Sequence, residues 1–179
     1  MCIITTMLEV RPATQEDVSA IAQVLSEAAV YKAEQGDYLW GTEPFTSDEI
    51  EARLQGGGLY AAISDGEVVG TVTLTDQDKR IWEDDGENHE ALYIHQLATS
   101  DEARGKNLGE QIIDWAVDKA REEGRNAVRL DCSYTNRGLC QYYERRGFAE
   151  VKRRDIPRKT AARDLRDTVY QVALLQRDV

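Results

Sequence analysis

Residues 91–109 read ALYIHQLATSDEARGKNLG. The first nine residues are a mostly apolar, strand-like run. The last six end in glycine where a helix must begin, because Leu108, Ile112, Ala116 and Ala120 then recur every four residues. A basic, glycine-bearing turn between strand and helix presents backbone N–H groups that no intrahelical carbonyl can satisfy, and the helix dipole adds to the pull on an anion. The stretch therefore predicts that something carrying phosphate docks at residues 103–109. Two common phosphate loops are absent: neither Gly-x-x-x-x-Gly-Lys-Ser/Thr nor Gly-x-Gly-x-x-Gly occurs.

Outward from this turn, strand and helix signals alternate. Leu8 to Arg11 reads as a first strand. Thr14, with Asp17 three residues on, reads as a helix start of the capping-box kind, and Val18, Ile21, Ala22, Leu25 and Ala28 carry that helix to about Tyr31. Thr46 or Ser47 caps a second helix bearing Ile50 and Leu54, which Gly56-Gly57-Gly58 stops. Leu59–Ile63 and Val68–Leu74 flank Asp65-Gly66, a hairpin signal. An acidic stretch, residues 76–90, leads into the strand at 91–99. The helix after the turn runs to about Glu123, with Gly124 as its cap, and Ala127–Asp131 is a short buried strand. Phe148–Arg154 and Thr168–Leu175 close the chain as an antiparallel pair.

A second patterned stretch lies at Asn136-Arg137-Gly138-Leu139-Cys140-Gln141-Tyr142-Tyr143-Glu144-Arg145-Arg146-Gly147-Phe148. Leu139, Tyr142 and Tyr143 fall at i, i+3 and i+4 and share a helix face, and Gly147 is placed as a C-terminal cap. Together the two stretches resemble the GNAT (GCN5-related) N-acetyltransferases. Arg104-Gly105-Lys106-Asn107-Leu108-Gly109 aligns with that family's Gln/Arg-x-x-Gly-x-Gly/Ala motif. The Asn…Tyr-x-x-x-Gly-Phe stretch aligns with its second signature. One position departs: Asn107 stands where the motif has its first glycine, and asparagine tolerates left-handed backbone angles better than most residues.

The resemblance implies an α/β fold of the α+β kind. It has a mixed, twisted sheet of about seven strands flanked by four helices, with splayed central parallel strands at 91–99 and 127–131. It implies acetyl-CoA as co-substrate, its pyrophosphate on the backbone of Arg104, Gly105, Lys106, Asn107, Leu108, Gly109 and Glu110. The pantetheine arm would lie against Leu97, Ala98, Thr99, Asn136, Leu139, Tyr142 and Tyr143. A bulge in the central strand would free the Leu97 amide for the thioester carbonyl, and Tyr143 would be the general acid.

The general base stays open between His95, Asp131 and a water chain. His95 has a suitable free pKa, and simple alternation puts it on one strand face with Leu97. The acceptor would meet Tyr31, Trp40, Glu43, His95 and Asp131, an aromatic and acidic mixture suited to a cation. The basic loop 155–167, with Arg158, Lys159, Arg163 and Arg166, suits a carboxylate instead. An amino acid or similar amine satisfies both.

Composition excludes other classes. The 179 residues suit one domain over 8–179 after an extension at 1–7, and 41% hydrophobic content is that of a folded chain. The 33 acidic and 22 basic residues give a net charge of −11, which repels phosphate backbones and argues against nucleic acid. No apolar run is long enough for a membrane span, and the N-terminus lacks the pattern of a signal peptide. Three cysteines without metal-like spacing, Cys2, Cys132 and Cys140, suggest reduced thiols in a cytoplasm, and two histidines make a metal improbable. The partners expected are a small-molecule or peptide amine and, at most, a second copy of the chain.

Overall fold

A computed structural model describes residues 8–83, 89–157 and 169–179. The extension at 1–7 and the four basic residues of the 155–167 loop lie outside the described residues. Seven strands form one sheet: β1 (Glu9–Pro12), β2 (Leu59–Ser64), β3 (Glu67–Thr75), β4 (Ala91–Thr99), β5 (Ala127–Ser133), β6 (Ala149–Pro157) and β7 (Val169–Asp178), in the order β1-β2-β3-β4-β5-β7-β6. The β4–β5 pair alone is parallel. Among the described residues five helices accompany them: α1 (Val18–Glu34), α2 (Ser47–Gly56), α3 (Lys79–Trp82), α4 (Leu108–Glu122) and α5 (Arg137–Glu144). The helix that sequence periodicity does not signal is α3, a single turn inside the acidic stretch.

Local chemistry explains the boundaries. Before α1 the Thr14 backbone N–H donates to the Asp17 carboxylate at 2.7 Å, and Asp17 also takes both guanidinium nitrogens of Arg11. A 3₁₀ turn at Gln15–Asp17 precedes the α-helix, which continues one turn beyond the expected Tyr31. Thr46 and Glu49 cap α2 reciprocally. Asp65 and Gly66 both take positive φ (52° and 82°), as the tight hairpin turn requires.

The sheet buries both faces. On one, α4 and α5 cover Val72, Leu92, Ile94, Val128 and Leu130 with Ile112, Ile113, Ala116 and Tyr143, and Phe148 packs beside them. On the other, α1 and α2 cover Leu59, Ala61 and Ala98 with Ile21, Leu25 and Ile50. Further along that side Trp82 of α3 packs with Tyr93, Ile156 and Val172, which anchors α3 against the sheet.

The central pair positions everything that follows. β4 and β5 are in register only from Ala91↔Ala127 to Ile94↔Leu130. β5 stays with β7 as far as Ser133↔Val172, so the C-terminal half of β4 parts from it. On its other side β4 is bulged. Thr73 faces His95 and Thr71 faces Ala98, leaving Gln96 and Leu97 opposite Val72, with Gln96 at φ 47°. Arg53 of α2 hydrogen-bonds the Gln96 side chain.

Candidate active site

The parted strands open into a cavity of about 800 Å³. His95, Gln96, Leu97, Ala98 and Thr99 of β4, Asp131 and Cys132 of β5, and Asn136, Leu139, Tyr142 and Tyr143 around α5 all line it. So do Arg104, Gly105, Asn107, Leu108 and Gly109 at one end, and Tyr31, Trp40, Arg80 and Tyr170 elsewhere. The two distant sequence stretches thus meet in one space. Lys106 and Glu110 do not line it, and Glu110 is paired with Arg146 at 3.2 Å. Glu43, expected at the acceptor site, is exposed and outside the lining.

At the turn, Asn107 adopts the left-handed conformation (φ 58°, ψ 22°) that a glycine would otherwise supply. Its side chain makes no capping hydrogen bond, so the N–H groups of the first α4 turn are left for a ligand. Gly109 serves by its size. A Cβ there would stand 2.7 Å from the Tyr142 hydroxyl oxygen. Arg104 is paired with Asp101 and stacks 3.8 Å from the centre of the Tyr31 ring, so Tyr31 stands at the turn as much as at an acceptor site.

The bulge reverses one sequence expectation. Strict alternation would set His95 and Leu97 on one face. Leu97 instead packs with the α4-side cluster, beside Gly109, as Ile94 does. His95 follows Tyr93 to the opposite side, because the extra residue shifts the alternation by one.

Hydrogen bonds fix the state of His95. The Thr75 hydroxyl donates to the Gln77 carbonyl at 2.9 Å, and its oxygen also lies 2.9 Å from His95 Nε2. Its single proton being committed, Thr75 can only accept from the ring, so Nε2 carries the hydrogen and Nδ1 keeps a lone pair. Burial lowers the His95 pKa, opposed by the charge of Asp78. Asp78, His95 and Asp131 each bring a ligand-type atom to within 4.8 Å of the others, a donor set that a divalent cation also accepts. Burial pushes the Asp131 carboxyl up to about 7, with Asp78 adding to the rise and Lys32 and Arg80 opposing it. Asp78 is raised too, first by burial. It caps α3 through Oδ1 to the Ile81 N–H at 3.2 Å, while its buried Oδ2 has no hydrogen-bond partner.

Tyr143 is 8% exposed and packs edge-on against Tyr142 and Phe148. Burial raises its phenol pKa, so it stays protonated, and its hydroxyl makes no hydrogen bond among the described residues. Asn136 caps α5 through Leu139 N–H and donates to Asp37 at 3.1 Å, so its amide serves the framework. Cys132 and Cys140 are buried with their sulfurs 3.6 Å apart. Burial pushes the Cys132 thiol up, the reverse of what a nucleophile needs. Asp78 and Arg80 are the site residues that sequence reading missed. Their signal, an aspartate N-cap before Lys-Arg-Ile-Trp, is submerged in the surrounding acidic run.

The sheet thus splits beside a bulged strand, with an open helix start at one end of the gap. Residues 26–148 match the model of the acetyltransferase (GNAT) family, and the chain belongs to that family. It is 28% identical over 143 residues to the uncharacterized N-acetyltransferase YesJ of Bacillus subtilis, covering 76% of this chain and 79% of that one. It is 25% identical over 145 residues to the aminoalkylphosphonate N-acetyltransferase of Salmonella typhimurium, covering 79% and 85%. Among solved structures, a GNAT-family acetyltransferase from Listeria monocytogenes superposes with a TM-score of 0.73 at 23% identity, over 98% of this chain and 99% of that one. The yncA protein of Salmonella typhimurium, solved with its cofactor acetyl-CoA, does so at 0.67 and 16% identity, over 97% and 94%. Both solved structures share the fold described above.

Proposed function

We propose that this protein transfers an acetyl group from acetyl-CoA to the primary amine of a small molecule or peptide, in the cytoplasm. One observation carries the reading. The gap that opens after Ile94 and Leu130 brings the bulge at Leu97, the open α4 start and the Tyr143 ring into one cavity. The bound acetyl-CoA of a fold neighbour supports it, and so does the small-molecule amine named for the Salmonella relative.

In this reading the pyrophosphate rests on the N–H groups of the 104–110 turn, and pantetheine runs along Leu97–Thr99 beside Leu139 and Tyr142. The Leu97 N–H donates to the thioester oxygen, where negative charge develops in the tetrahedral intermediate. The acceptor arrives as an ammonium and gives one proton to His95 Nδ1 or to Asp131, directly or through a water. Its nitrogen then attacks the carbonyl carbon. As the C–N bond forms and the C–S bond breaks, Tyr143 gives its proton to the departing thiolate. The second amine proton restores the phenol. The net products are the amide, free CoA and one proton.

The test is thiol release from acetyl-CoA across amino acids, polyamines, aminoglycosides and peptides. Release that depends on the amine is expected with at least one class. Acetyl-CoA binding without release from any amine would make this a CoA-binding domain rather than an enzyme.

A further inference from the structure

We propose that the acceptor is a zwitterion: a primary amine whose ammonium sits at His95 Nδ1 and Asp131, and whose own acid group, a carboxylate or phosphonate, is held by Arg80. The inference rests on the acetyltransferase reading and adds the acceptor's chemical class to it.

The far end of the cavity carries both signs of charge, and the two signs are held differently. The negative side is Asp131, which lines the cavity with His95, and Asp78, which brings a carboxylate oxygen within 4.8 Å of ligand atoms of both. An ammonium brings three N–H donors and a full positive charge to acceptors that protein groups leave short. Asp78 Oδ2 is buried without a hydrogen-bond partner, and the lone pair on His95 Nδ1 follows from the commitment of Nε2 to Thr75. Two carboxylates so close together disfavour joint ionisation unless a cation joins them. Both have their proton affinity raised, as expected of a seat that awaits one.

The positive side is Arg80, two residues along the chain from Asp78. Its guanidinium carbon lies over the Tyr170 ring, 4.8 Å from its centre, and no ion pair joins it to a carboxylate among the described residues. Two other cations of the cavity wall are already paired. Lys32 is bound to Asp37 at 2.5 Å, and Arg104 to Asp101. A guanidinium stacked on a ring keeps its N–H edge for a planar or tetrahedral oxyanion. The turn that carries Arg80 is rigidly placed, since Trp82 is in the core and Arg154 donates to the Ile81 carbonyl. One short helix therefore fixes Asp78, which borders the ammonium seat, relative to Arg80 at the acid seat. This is what selects a small molecule with its two charges close together.

Thiol release is measured with matched acceptors, each acid-bearing amine beside the same amine lacking the acid: alanine with ethylamine, aminomethylphosphonate with methylamine. The acid-bearing member is expected to have a kcat/KM roughly 10- to 100-fold higher, the range of hydrogen bonds to charged groups. In Arg80→Gln that ratio falls towards one through KM, and Arg80→Lys recovers part of it. Thermal melting of each variant confirms folding. Equal turnover of acid-free and acid-bearing amines would overturn the inference and leave the acetyltransferase standing. Release from no amine at all would overturn both. A Zn²⁺ arm guards the ammonium half. If turnover of alanine requires the ion, and Asp78→Asn abolishes Zn²⁺ binding by calorimetry, the seat is a metal centre and the ammonium assignment fails.

Discussion

At the scale of single residues, two adjacent tyrosines differ in their surroundings. Tyr143 is buried at the gap, its hydroxyl without a hydrogen bond among the described residues, whereas Tyr142 covers Gly109 and lies under the Arg146 guanidinium, 3.6 Å from its ring centre. Tyr143→Phe keeps the ring and removes the donor. It should lower kcat by about 100-fold with little change in the KM for acetyl-CoA, and stability should hold within about 1 kcal/mol. Tyr142→Phe should be nearly silent in rate, and steady-state kinetics on the two proteins makes the comparison. Asp131 carries a pH prediction. Its folded pKa of about 7 lies above the ordinary 3.8, so as pH rises between them the unfolded chain ionises first and the folded state loses stability. Asp131→Asn should match the parent near pH about 4 and exceed it near pH about 8, by up to about 4 kcal/mol, in denaturant titrations. In the same variant the rise of kcat/KM through about pH 7 should flatten if Asp131 takes the proton.

At the scale of elements, the α4 turn and the β4 bulge define the end of the cavity proposed for acetyl-CoA. Asn107 already holds the angles of a glycine, so Asn107→Gly should preserve or tighten acetyl-CoA binding. Asn107→Val, β-branched at positive φ, should weaken it by roughly tenfold or more in calorimetry. Gly109→Ala forces its Cβ against Tyr142, so it should loosen binding through displacement of that ring rather than through backbone strain. Much of this was legible in the sequence. The turn, the Asn136–Phe148 helix and the order of elements along the chain all rest on local spacing, which short-range physics sets. The bulge was implied by family resemblance, but its effect on His95 and Leu97 was not. A bulge depends on what β3 offers opposite, and period-two reasoning along one strand contains no term for that. The short helix α3 was missed for a related reason. Four residues carry no periodicity, and Trp82 is fixed by long-range contact with Tyr93 and Ile156.

At the scale of the whole molecule, the fold works by withholding a pairing. β5 pairs with β7 over its whole length while β4 leaves it after Ile94, so the middle of the sheet is open on one side of the break. The helices and turns that carry the polar groups gather there. No described helix is long and apolar enough to cross a membrane. A ligand filling the gap ties both halves of the sheet, so acetyl-CoA at about 100 times its Kd should add about 2.7 kcal/mol of stability and raise the melting temperature by roughly 5–10 °C. The most direct test of the account is a crystal structure with acetyl-CoA bound. It should show the pyrophosphate on the N–H groups of residues 104–110 and the thioester oxygen about 2.9 Å from the Leu97 nitrogen. The sulfur should lie within reach of the Tyr143 hydroxyl. A thioester seated away from the β4–β5 gap, or a pyrophosphate bound elsewhere than the α4 turn, would contradict it.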